Sequence, residues 1–329
     1  MPSHAPMTRR ALCAYGAATL ALGPLAAHAQ AYPSKPVKVI VTYTPGGAND
    51  VTARVYSQLL TERMKQSFVV ENRPGASGIT GTVSVTKADP DGLTLLLGAG
   101  GTMTINPALF PKLAYDPLKD FVPIGLAARS PLVLVVPPSL PVKNVAELIA
   151  YAKSKPEGLT FASPGAGTPL HLAGELFARQ AQITTLHVPY KGSVPALTDL
   201  MAGRVDLMFD VLGSSLGFIK GGKLRALAVT SPQRTSHLAD VPSLQEQGLR
   251  DFDVTSWFGL FAPAGTPADI ITRLNTELRA AAATPEAREK LAPLGMEPAG
   301  SSPQDLRNLV QQEQARWREL IRVANIKAE

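Results

Sequence analysis

Cysteine is nearly absent: Cys13 is the only one in 329 residues. It follows Arg10-Ala11-Leu12 and precedes an apolar run, the reverse of the order that a lipid-attachment cysteine needs, and the run reads as part of an export signal. The mature chain is therefore expected to carry neither a disulfide nor a thiol nucleophile. Histidine is scarce as well. Beyond the signal only His171, His187 and His237 remain, far apart and with no pair at helical spacing, so no metal site is expected. Only His171 and Glu175 stand one turn apart. No later stretch reaches the roughly 20 apolar residues of a membrane-spanning helix, which predicts a soluble mature protein. A lysine-bearing phosphate loop is missing. Aromatic residues make up 6%, and the basic residues are scattered rather than gathered with them into a stripe, which argues against nucleic-acid binding. There is no repeat of solenoid period and no low-complexity tract.

What is present suits a packed globular protein, with 45% hydrophobic and 18% charged residues in a chain long enough for two domains. Arg9 and Arg10 lead into the Ala/Leu-rich run from Ala11 to Ala27, which ends in Ala27-His28-Ala29. This is the layout of an export signal cleaved after Ala29 or Ala31, and it places the mature chain in the periplasm. Thr8-Arg9-Arg10-Ala11-Leu12 loosely resembles a twin-arginine signal, so both export routes stay open. Removing the two arginines takes the formal charge from +6 to +4, a mild excess that suits an anionic ligand.

From Val37 onward, short aliphatic runs, Gly/Pro-rich turns and segments of helical spacing alternate, as in an α/β protein with a parallel sheet. Strands are expected at 37–41, 68–71, 94–97, 133–136, 160–162, 185–188, 207–209 and 225–229. Helices are expected at 50–65, 145–155, 169–180, 194–202, 267–283 and 303–324. The last is amphipathic, with Leu306, Leu309, Val310, Trp317 and Ile321 on one face. Arg129-Ser130-Pro131 and Trp257 to Gly265 read as crossings between domains. Together they predict residues 32–131 plus 256–329 as one lobe and 132–255 as the other, two α/β domains joined by two crossover segments around a ligand cleft.

Three glycine-rich turns draw notice. Pro45-Gly46-Gly47-Ala48-Asn49-Asp50 joins a strand to a helix, where unpaired helix amides favour negative charge. It reads either as an anion site or as a tight turn in which Asp50 is a cap or first-turn acid. Ser163-Pro164-Gly165-Ala166-Gly167-Thr168 repeats the design in the other predicted lobe. The two together would hold opposite ends of a small dicarboxylate. Arg73-Pro74-Gly75-Ala76-Ser77-Gly78 either adds Ser77 as a donor or is a solvent-facing turn.

Catalytic readings fail on order and composition. Gly213-Ser214-Ser215-Leu216-Gly217 matches a nucleophile elbow, but the only later histidine is His237, with no acid between it and Ser215 where serine, acid, histidine is required. Gly98-Ala99-Gly100-Gly101-Thr102-Met103 begins like a dinucleotide fingerprint, yet Met103 stands where Gly or Ala is needed.

Read in order, YPSKPVKVIVTYTPGGANDVTAR, VVENRPGASGITG, DGLTLLLG, NPALFPKLAYDPLKDFVPIG, FASPGAGTPLHLAGELF, HVPYKGSVPALTDLMAGRVDLMFD, GKLRALAVTS, LFAPAGTP and ANIKAE closely resemble the solute receptors of tripartite tricarboxylate transporters, the Bug family. The match spans essentially the whole mature chain. The resemblance implies a two-lobed periplasmic-binding-protein fold, type II-like, with no catalysis, no cofactor and no metal. It implies a monomer that binds a small carboxylate (dicarboxylate, tricarboxylate, aromatic acid or acidic amino acid) and delivers it to the membrane components of a transporter. Ligand carboxylates would be held largely by backbone amides and water. On matching positions it implies Gly46, Gly47 and Asp50 from the first turn, Ser77 from the third, and Gly165, Gly167, Thr168 and His171 from the second lobe, with Thr102 and Asp210 as further cleft residues. Ser77 replaces the glycine commonest in its motif. Asp50 or Asp210 would pair with an amino group if the ligand is an amino acid. A second reading keeps the cleft and changes the partner: a periplasmic protein that presents a carboxylate to a signalling protein.

Overall fold

Two long strands set the architecture. The computed structural model describes Met1, residues 32–190 and residues 192–327. The expected export signal and its cleavage points lie outside the described residues. The chain divides into two units, Met1–Ser34 and Lys35–Glu329, and the strands and α-helices of the described residues belong to the second. In order these are β1 (Val37–Val41), α1 (Ala48–Met64), β2 (Phe68–Asn72), α2 (Ile79–Thr86), β3 (Thr94–Ala99), α3 (Asn106–Leu109), β4 (Phe121–Val136), α4 (Val145–Lys153), β5 (Leu159–Ser163), α5 (Pro169–Ala181), β6 (Thr185–Pro189), α6 (Ser193–Met201), β7 (Leu207–Val211), α7 (Leu212–Lys220), β8 (Arg225–Val229), β9 (Thr255–Pro263), α8 (Ala268–Ala282), α9 (Pro285–Leu291), β10 (Glu297–Pro298) and α10 (Pro303–Val323).

The strand order is β2-β1-β3-β9-β4-β7-β5-β6, with β8 and β10 also on β4. Sequence periodicity suggests a parallel sheet; the structure corrects this to a mixed one. Strands β1, β2 and β3 are parallel, as are β5, β6 and β7. Strands β4 and β9 run antiparallel to each other and to their other neighbours. The first half of β4 pairs with β9, ending at Ser130 opposite Ser256 and Pro131 opposite Thr255. From Leu132 the same strand pairs with β7 and β8 instead. Pro131, which has no N–H to give to a ladder, sits where the strand changes partners, a position a central-strand proline tolerates.

The second half of β4 is apolar without alternation because both faces are covered. Leu132, Leu134 and Val136 join a cluster with Phe161, Phe177, Phe209 and Phe252. Val133 and Val135 face the opposite cluster with Ala162, Leu197, Leu200 and Met208. A third cluster holds Ile40, Leu96, Phe121, Leu126, Trp257 and Phe261 around the first half. Each such fully buried side chain contributes about 1.5–3 kcal/mol.

Helix α10 starts with Pro303 behind a capping box of Ser302 and Asp305, which satisfies amides that a helix start otherwise leaves free. Its apolar stripe serves two clusters: Leu306 and Val310 pack with Phe121 and Trp257, and Trp317, Leu320 and Ile321 pack with the cluster of Phe161 and Phe177. Among the described residues no helix is long and apolar enough to cross a membrane.

Candidate functional site

A cavity of about 310 Å³ is walled by the turn after β1 and the start of α1 (Tyr43, Thr44, Gly47, Ala48, Asn49), by Ala99, Gly100, Gly101 and Ile105 beyond β3, by Pro164 and residues 168–170 at the start of α5, by residues 254–258 entering β9, and by Glu313 and Trp317 of α10. The carboxyl ends of strands from both halves of the sheet thus converge on one space, the usual place for a ligand in α/β proteins.

The start of α1 is uncapped. Its N-cap is Gly47, with no side chain to offer, so no side-chain cap bond forms. The backbone N–H groups of Gly47, Ala48, Asn49 and Asp50 have no acceptor among the described residues, and the first helical bond is Val51 N–H to Gly47 O. Four orphan donors at the positive end of a 17-residue helix make a strong anion position. Asn49 is 5% exposed and lines the cavity. Neither its Nδ2 nor its Oδ1 has a partner among the described residues.

Asp50 is occupied elsewhere. Its Oδ2 accepts from Gly46 N–H at 3.0 Å and Arg54 Nε at 2.9 Å, and its Oδ1 accepts from Asn72 Nδ2 at 2.9 Å. Burial acts to raise this carboxyl, but the Arg54, Gly46 and Asn72 bonds outweigh it and hold the group below the usual carboxylate range. The side chain ties the turn to its own helix and to β2. Gly46, at φ +89°, turns the chain so that this closure is reached.

The start of α5 looks alike in sequence and differs in detail. Thr168 caps it, accepting from His171 N–H at 3.2 Å, and Pro169 at the first position has no N–H to leave free. Gly167 N–H donates to His171 Nδ1 at 3.0 Å, which puts the imidazole proton on Nε2, 3.4 Å from Glu175 Oε1. The His171 ring stacks on His187 at 3.8 Å between centroids. Ser163 Oγ meets His187 Nε2 at 2.6 Å. Burial, and then the neighbouring His171, push His187 down to about 4. Gly165 and Gly167 take φ +152° and +72°. A β-carbon on Gly167 would lie 2.5 Å from Leu109 Cδ1. Here the glycines serve the turn and its packing.

Of the residues singled out from the sequence, Gly47 and Thr168 line the cavity, while Gly46, Asp50, Gly165, Gly167 and His171 shape the two turns behind it. Thr102 is fully buried and exchanges hydrogen bonds with Ala99 N–H and O. Ser77 is exposed, at φ +53°, with its carbonyl accepting from Asn106 Nδ2. Asp210 is fully buried, accepting from Ser193 Oγ at 2.9 Å and Ser215 Oγ at 2.6 Å; burial pushes its carboxyl up. The elbow-like serine, Ser215, is therefore a buried donor to Asp210.

Sequence reasoning passed over most of the wall, Asn49 and five larger side chains among it. Tyr43 has its hydroxyl beside Gly101 and is pushed up to about 12 by burial, so it stays a donor. Trp257 Nε1 and Thr104 Oγ1 donate to Glu313 Oε2 at 2.9 and 3.0 Å. Burial pushes the Glu313 carboxyl up in spite of these bonds. Phe258 and Trp317 complete the set. Glu313 had a legible signal, since it falls on the apolar stripe of α10 between Val310 and Trp317. Among the described residues no group of three or more His, Cys, Asp or Glu is placed to hold a metal.

The model of the tripartite tricarboxylate transporter family receptor matches residues 52–326. A protein from the tcbD–tcbE intergenic region of Pseudomonas sp. strain P51 is 42% identical over 95% of this chain and 93% of its own. Among solved structures, Rpa4515 of R. palustris with adipate is 39% identical at a TM-score of 0.77, covering 90% of this chain and 99% of that one. The periplasmic binding protein BugD is 34% identical at 0.74, covering 91% and 100%. With an α/β fold of two lobes and a family model that spans most of its length, this chain belongs to the receptors of tripartite tricarboxylate transporters, the Bug family of solute-binding proteins.

Proposed function

We propose that this receptor captures a small carboxylate between its lobes in the periplasm, without transforming it, and delivers it to the membrane components of a tripartite transporter. The observation that carries the reading is the uncapped start of α1, where Gly47, Ala48 and Asn49 line the cavity with backbone amides, and an Asn49 side chain, that have no partner among the described residues. The adipate held by the structural relative Rpa4515 supports the same ligand chemistry. Gly46, Gly47 and Asp50 build the anion end, and Gly165, Gly167, Thr168 and His171 build the opposing wall. Ser77, Thr102 and Asp210 act behind them.

The lobes divide at the paired residues Pro131 and Thr255, giving residues 32–131 plus 256–329 and residues 132–255. Two antiparallel strands crossing side by side make a narrow bridge about which the lobes can close, and ligand shifts the population toward the closed form. A thermal-shift screen of refolded, ligand-free protein against carboxylates tests capture. A ligand that binds only the native state, at about 100 times its dissociation constant, adds about 2.7 kcal/mol. Recovery of the carboxylate unchanged after incubation tests the absence of turnover. A chemically altered product would sink the receptor-only reading.

A further inference from the structure

The anion end occupies a small part of the cavity wall, and most of the rest is apolar. Ile105, Leu170, Val254, Trp257, Phe258 and Trp317 line it. Among the described residues no lysine or arginine does. Among the described residues the only carboxyl side chain on the wall is that of Glu313, buried and held by Trp257 and Thr104. A second carboxylate placed beyond the first would lose its water with no cation on the wall to replace it, since Arg316 lies off the wall with its Nη2 3.8 Å from Glu313 Oε1. At the opposite wall the start of α5 offers fewer donors to such a group: Thr168 takes the N–H of His171, His171 takes that of Gly167 and Pro169 has none, which leaves the N–H of Leu170. An apolar body gains from every one of these surfaces, and three of them are aromatic faces.

The Asn49 amide adds direction. It brings one donor and one acceptor to the end of the cavity where the α1 amides converge, and it is buried too deeply to be left without partners at no cost. Nδ2 is matched by a carboxylate oxygen.

Resting on the receptor reading above, we infer that the ligand is a monocarboxylate with an apolar body, best met by an aromatic acid, whose carboxylate sits at the start of α1 and is held in orientation by the Asn49 side chain. The body lies against Trp257, Phe258 and Trp317. Dicarboxylates, and the tricarboxylates of the family name, fit this wall less well.

The chain has two tryptophans, Trp257 and Trp317, and both line the cavity. Intrinsic fluorescence is therefore a local reporter of binding. The purified protein, refolded free of carried ligand, is titrated with benzoate, phenylacetate, hexanoate, adipate and citrate, with calorimetry in parallel. Monocarboxylates binding roughly tenfold or more tighter than adipate and citrate is the expected result. Tighter binding of adipate or citrate overturns this inference and leaves the receptor reading standing. No binding of any probe removes both. Asn49→Asp, which replaces the donor by a negative charge, and Asn49→Ala, which deletes it without adding bulk, are each expected to weaken the best monocarboxylate roughly tenfold or more. Unchanged melting temperature in both variants separates this from loss of fold. Unchanged affinity in both overturns the role of Asn49.

Discussion

The two glycine-rich helix starts read as near copies in sequence, yet they do different work. At α1 the N-cap is Gly47, which cannot cap, and the carboxylate of Asp50 is drawn back onto Gly46 and Arg54, so four amides stay free. At α5 the N-cap is Thr168, which caps, Pro169 has no amide hydrogen, and His171 takes the N–H of Gly167. Glycine spacing marks the sharp turn from strand to helix in both. Whether that turn is open to an anion is set by the N-cap residue and by what the first-turn side chains reach.

That contrast breaks most visibly at Gly47. Its added β-carbon would meet nothing nearer than Thr44 O at 4.0 Å, so Gly47→Leu should fold normally and fill the anion end. Carboxylate affinity should fall roughly a thousandfold, about 4 kcal/mol, by calorimetry. Retained affinity would remove the α1 start from the site. At the other start Gly167→Val should act on the fold instead, since φ +72° and the 2.5 Å approach to Leu109 both oppose a side chain. A loss of about 2–3 kcal/mol in urea unfolding is expected, and a neutral result would mean the α5 turn yields more readily than its packing implies.

A smaller, pH-gated difference follows from His187 behind the α5 turn. Its imidazole is held at about 4 in the folded chain against about 6.5 when unfolded. Above that value it is neutral in both states. As pH falls from about 6.5 toward 4 the unfolded chain binds the proton first, so stability declines across this window and levels off below it. The His187→Gln variant should show a flatter melting-temperature profile between pH 7 and 4, and an equally steep one would place the titration elsewhere. The smallest effect belongs to the third turn. Ser77 sits at φ +53°, where a side chain is strained, and Ser77→Gly should gain about 1 kcal/mol in thermal unfolding.

Much of the framework was legible. The expected strands 37–41 and 225–229 have the observed limits, and the helix expected at 303–324 ends one residue earlier. The largest omissions were the first half of β4 and all of β9. Pro123, Gly125 and Pro131 interrupt the aliphatic pattern there, and the structure absorbs the first two at a register shift and the third where partners change. The turn singled out from the sequence for an anion is the one whose helix start has no side-chain cap, but attention went to Asp50, the chemically loud neighbour, while Asn49 went unremarked. A local pattern cannot say which of two adjacent polar side chains folds back onto its own turn. The apolar wall was hidden for another reason: Trp257 and Trp317 come from β9 and α10, 60 residues apart, and only the tertiary fold brings them to one cavity.

Helix α10 has a consequence for the order in which the molecule can be completed. Its first turns close the cluster of Phe121 and Trp257, and its last turns close that of Phe161 and Phe177. Residues 303–323 follow every other element along the chain. Until they arrive, both apolar clusters lack a wall, and contacts spanning most of the sequence must form before either is sealed. A chain built this way emerges from synthesis without a finished half, and its cooperative locking waits for this last helix.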